Sequence, residues 1–510
     1  MINRNLILSL LVCSLILAPI LFFPLSNDLS IFYHAAKTIL SGGKLYVDFI
    51  DIKPPLGYIL FIPIILFSGH SEFMLRFADF IIQLTILILL FRLIQKKTSN
   101  DIIPFVACIF YSLSYVAFNF NQTMQLESFM GLIVLLLIKI QVSDNKKTYI
   151  WLLRGFLLAL LISIKFTSII VYLVLIIDDF FTEKNSKPFI KQVLTLISFL
   201  IAIILIHIIL LDLEIYNGFS NALKYLMIYG SQPPINFEYL KFSLKQISEF
   251  FADNLSLSLT ILFLIGIIYN LKNQGKHIYN FSILIFIFLF ASIILERKYF
   301  EYHFLRFYIP LSIVASYGLV TFFTEIKSFN TYKNIQAKFI SIAILIFFLL
   351  FSPLPRWIQT WIPTYYYFVS KEKYNQYYER KWTSAVLRKS SLDVASFINQ
   401  RTEKNDKVLV ISNINNQLNF FIEKGVKSRF ALSCFYLSNF NIEHFEKLFF
   451  DELKNANWLI VQTNDGNLYA MGHLFSSYDA LLQNKHFSHL LIENFQEVKD
   501  FKFFKVFSRK

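Results

Sequence analysis

With 510 residues, 56% of them hydrophobic, 58 phenylalanines and only 16% charged residues, the chain is too apolar to be a soluble globule throughout, and its mean hydropathy of +0.54 reads as an integral membrane protein. The formal charge of +14 does not point to nucleic acid, because the lysines and arginines are dispersed at the ends of apolar runs, with no basic helix or stacking platform. Placed there, they set topology or meet anionic lipid head groups.

Leu6 to Leu25 supplies about 20 apolar residues behind Arg4, with no small-residue cleavage site after them, and predicts a retained first span. Directly behind it lies the stretch NDLSIFYHAAKTILSGGKLYVDFIDIKPPLGY, Asn27 to Tyr58, which gathers Asp28, Asp48, Asp51 and Lys53. Charges so near a bilayer are costly and call for an explanation. Pro54 and Pro55 exclude helix at Lys53 and hold its ammonium at the start of a new segment. Leu56 to Ser68 is apolar but too short to cross, and predicts an interfacial helix that returns the chain to the membrane. Spans are then expected near 74–94, 102–118, 127–142, 150–164, 166–181, 190–211, 255–271, 278–295, 305–323 and 338–354, about eleven in all. Cys13 and Cys108 fall inside apolar runs and Cys434 lies far away, so no disulfide framework is expected.

Lys96, Lys97, Lys146, Lys147, Lys184, Lys187, Lys191, Lys272, Lys276, Lys327, Lys333 and Lys338 all fall on alternate turns, on the side of Arg4. The positive-inside rule makes that side cytoplasmic, so residues 27–73, 119–126, 212–254, 296–304 and the C-terminal region are expected outside. Past Arg356 the hydropathy falls. A tyrosine-rich connector over 356–390 suits a membrane interface. Beyond it, helices near 391–402, 415–423 and 441–454 alternate with strands near 408–412, 428–433 and 458–462, closed by a pair near 488–496 and 501–508, a pattern that predicts an α/β domain over 391–510. It carries no glycine-rich phosphate loop and no nucleophile elbow, which suggests a cap or acceptor-docking domain.

An acidic residue just beyond the first span, followed by Tyr33, Ala36, Gly43, Tyr46 and a closing Asp-x-Lys-Pro-Pro-Leu, resembles the polytopic GT-C glycosyltransferases that use polyprenyl-phosphate sugars. The similarity is to the family 39 protein mannosyltransferase-like enzymes and to the bacterial lipid A aminoarabinose and lipopolysaccharide-core sugar transferases. It implies a GT-C membrane domain over 1–355, an undecaprenyl-phosphate-like donor, and a lipid, glycan or protein acceptor at the extracytoplasmic face of the cytoplasmic membrane.

Such a transfer needs a base for the acceptor hydroxyl and cations for the departing phosphate. The resemblance puts the catalytic carboxylate at Asp28; the plainer reading is a cap on a Leu29–Leu40 helix. Glu127 matches an acidic residue of the second external loop that helps hold acceptor or sugar hydroxyls, or is an acid favoured by a helix N-terminus. Lys53 is assigned to the lipid phosphate, against a snorkelling lysine. Arg306, before Tyr308, is a second phosphate candidate with the fork that phosphate favours, and Lys165 a third. Arg76 and Lys165 are equally readable as partners of nearby acids, and His303 as a polar interfacial side chain. Asp48 and Asp51 suit either a divalent ion or a turn; no metal ligand set is otherwise expected. A lipid-linked sugar transporter or flippase is the rival, but the charges cluster in external loops and not at the midplane. An envelope polymer ligase would call for a large external loop rich in Arg and His, and 212–254 has neither.

Overall fold

The computed structural model describes residues 4–510 apart from 99, 144–146, 183–186, 233–235, 254, 274, 330–341, 344–345, 348 and 380–386. The chain divides into two compact units. One comprises Met1–Phe23, Ser68–His207 and Ile235–Tyr365; the other comprises Pro24–Phe67, Ile208–Pro234 and Tyr366–Lys510.

The first unit is helical: α1 (Arg4–Leu17), then, after helices of the second unit given below, α5 (Glu72–Lys97), α6 (Ile102–Ala117), α7 (Leu126–Gln141), α8 (Thr148–Ile164), α9 (Val171–Thr182), α10 (Lys187–Ile206), α12 (Phe237–Ala252), α13 (Leu257–Lys272), α14 (His277–Glu296) and α15 (Tyr308–Phe329). Among the described residues, Arg4–Phe22, Glu72–Lys97, Phe189–Ile206, His277–Glu296 and Glu301–Ile326 are long and apolar enough to cross a membrane, and Ile102–Ala117 and Thr148–Ile164 are shorter apolar helices. The expected span at 338–354 lies largely outside the described residues. The chain is a multi-pass membrane protein.

Local chemistry sets the helix ends. Ser71 caps α5 by accepting the Met74 amide at 3.3 Å, Glu72 lies in its first turn, and Lys96 and Lys97 close its last turn, each on the side the helix dipole favours. With little hydrophobic drive between helices in lipid, close contact is made on small residues. A Cβ on Gly318 would stand 2.1 Å from the Leu262 carbonyl, and one on Gly266 2.3 Å from that of Val314, so α13 and α15 meet backbone to backbone.

Five helices are also stapled by a buried polar network that the sequence did not disclose. Arg154 of α8 donates to Asp179 (2.6 Å), Gln141 (3.2 Å) and Thr195 (2.7 and 2.9 Å). Asp179 also pairs with Lys191, and Asp178 accepts from Gln141 at 2.6 Å and lies 3.0 Å from His277. A fully buried guanidinium is tolerated here because its N–H groups meet a carboxylate and neutral acceptors.

The second unit holds α2 (Asn27–Leu40), α3 (Pro55–Ile59), α4 (Phe61–Ser68, whose last residue falls in the first unit), α11 (Leu213–Gly230) and a five-stranded sheet of order β2-β1-β3-β5-β4: β1 (Lys407–Ile411), β2 (Val426–Lys427), β3 (Trp458–Gln462), β4 (Phe495–Asp500) and β5 (Phe504–Arg509). β2, β1 and β3 run parallel, Leu409 opposite Leu459 and Val410 opposite Ile460, and β5 and β4 complete the sheet antiparallel. The core under it is built from Val394, Ile398, Val408, Val410, Ile460 and Phe504. The α/β region expected from the alternating pattern is therefore present.

Two of its elements differ from expectation. Residues 428–433 are not a strand, because their backbone pairs elsewhere: Ile50 donates to Arg429 at 2.6 Å and Ala431 donates to Ile50 at 3.1 Å. Residues 488–494 are helical, because Asn484 caps the helix Lys485–Asn494 through the His486 and Phe487 amides, and the strand starts only at Phe495. The region 212–254 holds two helices, α11 and α12.

Candidate functional site

The sequence-selected residues gather in two places, one in each unit. In the second unit, Pro54 is extended (φ −61°, ψ 153°) and Pro55 opens α3, which leaves Lys53 in a fixed turn. Two tyrosines clamp its backbone: Tyr46 donates to the Lys53 carbonyl at 2.6 Å, and the Lys53 amide donates to the Tyr58 hydroxyl at 3.1 Å. Tyr46 itself sits at φ +65°, a conformation that costs a non-glycine residue about 1 kcal/mol or more. Its amide bonds Phe49, its ring packs on Phe219, and its carbonyl approaches Gly218 so closely that a Cβ there would lie 2.4 Å away.

The Lys53 ammonium stands 3.2 Å from Asp51 and 3.5 Å from Asp28, and 5.0 Å from the centre of the Phe32 ring. Burial works against this charge, and the carboxylates of Asp51 and Asp28 outweigh it, so the ammonium is held above its usual range. Asp51 is 1% exposed and also accepts from Tyr58 at 2.8 Å and from the Ile52 amide. Two carboxylates on one ammonium leave a formal charge of −1.

Asp28 is not the cap of α2. Ser26 is: its hydroxyl accepts the Leu29 amide at 3.2 Å, and Asp28 lies in the first turn with its carboxylate toward Lys53. Asp48 serves a turn, accepting the Lys44 amide at 2.7 Å. Tyr33 packs edge-on against Phe420. Among the described residues no group of three or more His, Cys, Asp or Glu is placed to hold a metal ion.

In the first unit, Glu127, Lys165, His303 and Arg306 come together, joined by Glu296, which the sequence reading passed over. Glu127 is in the first turn of α7, Lys165 follows α8 and Glu296 ends α14. His303 and Arg306 lie in the 3-10 turn Glu301–Phe307. Lys165 lies 2.7 Å from Glu127, 3.2 Å from Glu296 and 3.1 Å from His303 Nε2. Arg306, fully buried, forks onto Glu296 at 2.7 and 3.0 Å and reaches Glu127 at 3.3 Å and Ser292 at 2.8 Å. His303 Nδ1 faces the Lys298 carbonyl at 2.6 Å, which assigns the proton to Nδ1 and leaves Nε2 as the acceptor from Lys165.

Two carboxylates meet two strong cations here, so the cluster is balanced. Arg76 stands apart from it, donating to the Phe120 carbonyl at 2.9 Å and to Thr123 at 3.1 Å, and holds the turn before α7. The available signals for the missed groups were slight. Glu296 is an acid at the end of an apolar run, ten residues before Arg306, and Tyr58 follows the Pro-Pro turn by three.

Residues 52–210 match the family model described as dolichyl-phosphate-mannose-protein mannosyltransferase. Among curated proteins none matches. The structure is similar to that of ArnT from Cupriavidus metallidurans bound to undecaprenyl phosphate, with a TM-score of 0.60 at 11% identity over 100% of this chain and 98% of that one. It is also similar to the Archaeoglobus fulgidus oligosaccharyltransferase tethered with an acceptor peptide, with a TM-score of 0.56 at 9% identity over 97% of this chain and 72% of that one. The archaeal oligosaccharyltransferase AglB from Archaeoglobus fulgidus, in complex with an inhibitory peptide and a dolichol-phosphate, gives 0.55 at 8% identity, covering 99% of this chain and 74% of that one. The chain has the GT-C glycosyltransferase fold, a helical membrane domain with a C-terminal α/β region.

Proposed function

We propose that this protein is a membrane glycosyltransferase that moves a sugar from a polyprenyl-phosphate donor of the undecaprenyl-phosphate kind to a lipid, glycan or protein acceptor of the cell envelope. The observation that carries the reading is the cluster of Glu127, Lys165, Glu296, His303 and Arg306. Buried ionisable groups at the ends of apolar helices are costly and are kept for function, and two of these lie within the segment that matches a sugar-transferase family. The GT-C fold supports the same class of reaction.

In this reading the acceptor oxygen gives its proton to Asp28 and bonds to the anomeric carbon of the donor. The bond from that carbon to the phosphate oxygen breaks, the electron pair leaves with polyprenyl phosphate, and the configuration inverts. Lys53 answers the departing phosphate. While Asp28 is a carboxylate it holds the ammonium; as it takes up the proton that hold ends, and Lys53 turns to the growing negative charge. Within the first unit, Glu127 orients hydroxyls and Lys165, whose side chain keeps 21% exposure, is the cation that can answer a phosphate, while Arg306 stays committed to Glu296 and Glu127. The lysine asymmetry puts the N-terminus in the cytoplasm and the α/β region outside.

The test is product formation. The purified chain in proteoliposomes, supplied with polyprenyl-phosphate hexoses or pentoses and envelope extract as acceptor, should yield glycosylated acceptor and an equal amount of free polyprenyl phosphate. Movement of the intact lipid-linked sugar between leaflets with no product would replace the transferase reading by a transporter.

A further inference from the structure

The carboxyl ends of β1 and β3 carry a feature that the transfer chemistry does not use. From β1 the chain goes to β2 on one side and returns to place β3 on the other, and the carboxyl ends at such a divergence are where open α/β sheets take ligands. Just past β1 the chain reads Ser412-Asn413-Ile414-Asn415-Asn416-Gln417-Leu418-Asn419. Asn413, Asn416 and Gln417 are at most 2% exposed and Asn419 is 9% exposed.

Part of this polarity is matched internally. Asp465 accepts the backbone amides of Asn413 and Ser477 and the Ser477 hydroxyl, Ser412 donates to Gln462, and the Asn419 side chain donates to Asn416 Oδ1. The rest is not. Both side-chain polar atoms of Asn413 and of Gln417, Nδ2 of Asn416 and Oδ1 of Asn419 are buried without a hydrogen-bond partner among the described residues. Each such atom has given up its hydration with nothing in return, and six of them together weigh heavily against a fold that is only marginally stable. A core alone would be better filled by leucine or methionine.

Neutral amides offer donor and acceptor at fixed positions, the complement of ring hydroxyls, and they lack the charge a phosphate would require. Their segment is also tied to the helix that carries Asp28: the Asn416 backbone amide donates to Asn27 Oδ1 at 2.8 Å, and Phe420 packs against Tyr33.

We propose that Asn413, Asn416, Gln417 and Asn419 form a glycosyl subsite, in which the hydroxyls of one sugar ring satisfy the unpartnered amides beside the N-terminal turn of α2. This deepens the transferase reading and rests on it for the identity of the ligand. The sugar belongs either to the donor or to the acceptor, since both present the same chemistry.

Fluorescent full-length protein in nanodiscs is applied to an array of bacterial envelope oligosaccharides, and in parallel titrated with a polyprenyl-phosphate hexose against undecaprenyl phosphate as the sugar-free control. Binding on the array marks an acceptor sugar, and tighter binding of the hexose lipid than of undecaprenyl phosphate marks the donor sugar. Gln417→Met, which keeps the volume and removes two orphan atoms, should keep or raise the Tm while weakening whichever binding is seen on the order of tenfold or more. Asn413→Leu should act alike. Parent protein with neither binding, or Gln417→Met that binds as the parent, would overturn the subsite and assign the amides to buried water. Sugar binding by a parent that transfers none would sink the transferase reading and leave the subsite standing.

Discussion

Asp28→Asn asks whether the carboxylate at the start of α2 does chemistry or only supports the fold. The structural cost follows from the geometry. Ser26 and not Asp28 caps the helix, so the cap survives. The ion pair with Lys53 spans 3.5 Å between side chains 22% and 23% exposed, worth about 0–1 kcal/mol. A first-turn carboxylate adds about 0.3–1 kcal/mol through the helix dipole. The sum stays below about 2 kcal/mol, a few degrees of Tm in a chain of this size. If Asp28 takes the acceptor proton, transfer should fall by about 10²- to 10⁴-fold in a folded protein. Thermal unfolding in detergent and release of radiolabelled sugar from polyprenyl phosphate measure the two effects separately. Transfer near the parental rate would refute the catalytic assignment, and a collapse of Tm by tens of degrees would refute the reading of α2.

Lys53→Ala should weaken donor binding about 10- to 100-fold in a competition assay, with partial recovery in Lys53→Arg; unchanged affinity would return Lys53 to a structural role. Arg306→Met leaves Glu127 and Glu296 with Lys165 as their one remaining strong cation among the described residues, and should destabilise the protein by about 3–5 kcal/mol. Adding Glu296→Met should restore part of that in unfolding experiments, and strictly additive effects would argue against the pairing. Burial, with Lys427 and Lys37 nearby, holds the His34 imidazole down to about 3, so the unfolded chain takes up the proton first. His34 should add no pH dependence above its ordinary value of 6.5 and should lower stability toward acid by up to about 1.4 kcal/mol per pH unit, a share of the slope that His34→Gln removes; equal slopes in parent and variant would contradict this. A reporter active only in the cytoplasm should be on when fused after Lys97 and off after Lys510, and a signal at the C-terminus would invert the orientation.

Much of the protein was legible in sequence because it is governed locally. Hydropathy over 20 residues decides membrane insertion, and two consecutive prolines decide the backbone at Lys53 whatever surrounds it. The alternation that predicted the α/β region was sound for β1 and β3, whose buried runs need no distant partner to be recognised. Choice of partner was another matter. Ser26 and Asp28 are both good caps, and only the placement of Lys53 drew the aspartate away from that role. The strand expected at 428–433 gave way because Ile50, far back in the chain, takes its backbone bonds. Glu296 looked like the edge of a span until the fold set it against Arg306, Lys165 and Thr167. Likewise Arg306 meets Glu127 across a sequence separation of 179, and no local pattern records that contact. Periodicity and dihedral restriction act within a few residues, whereas the pairing of buried charges is decided by which helices pack together, and that information exists only once they have.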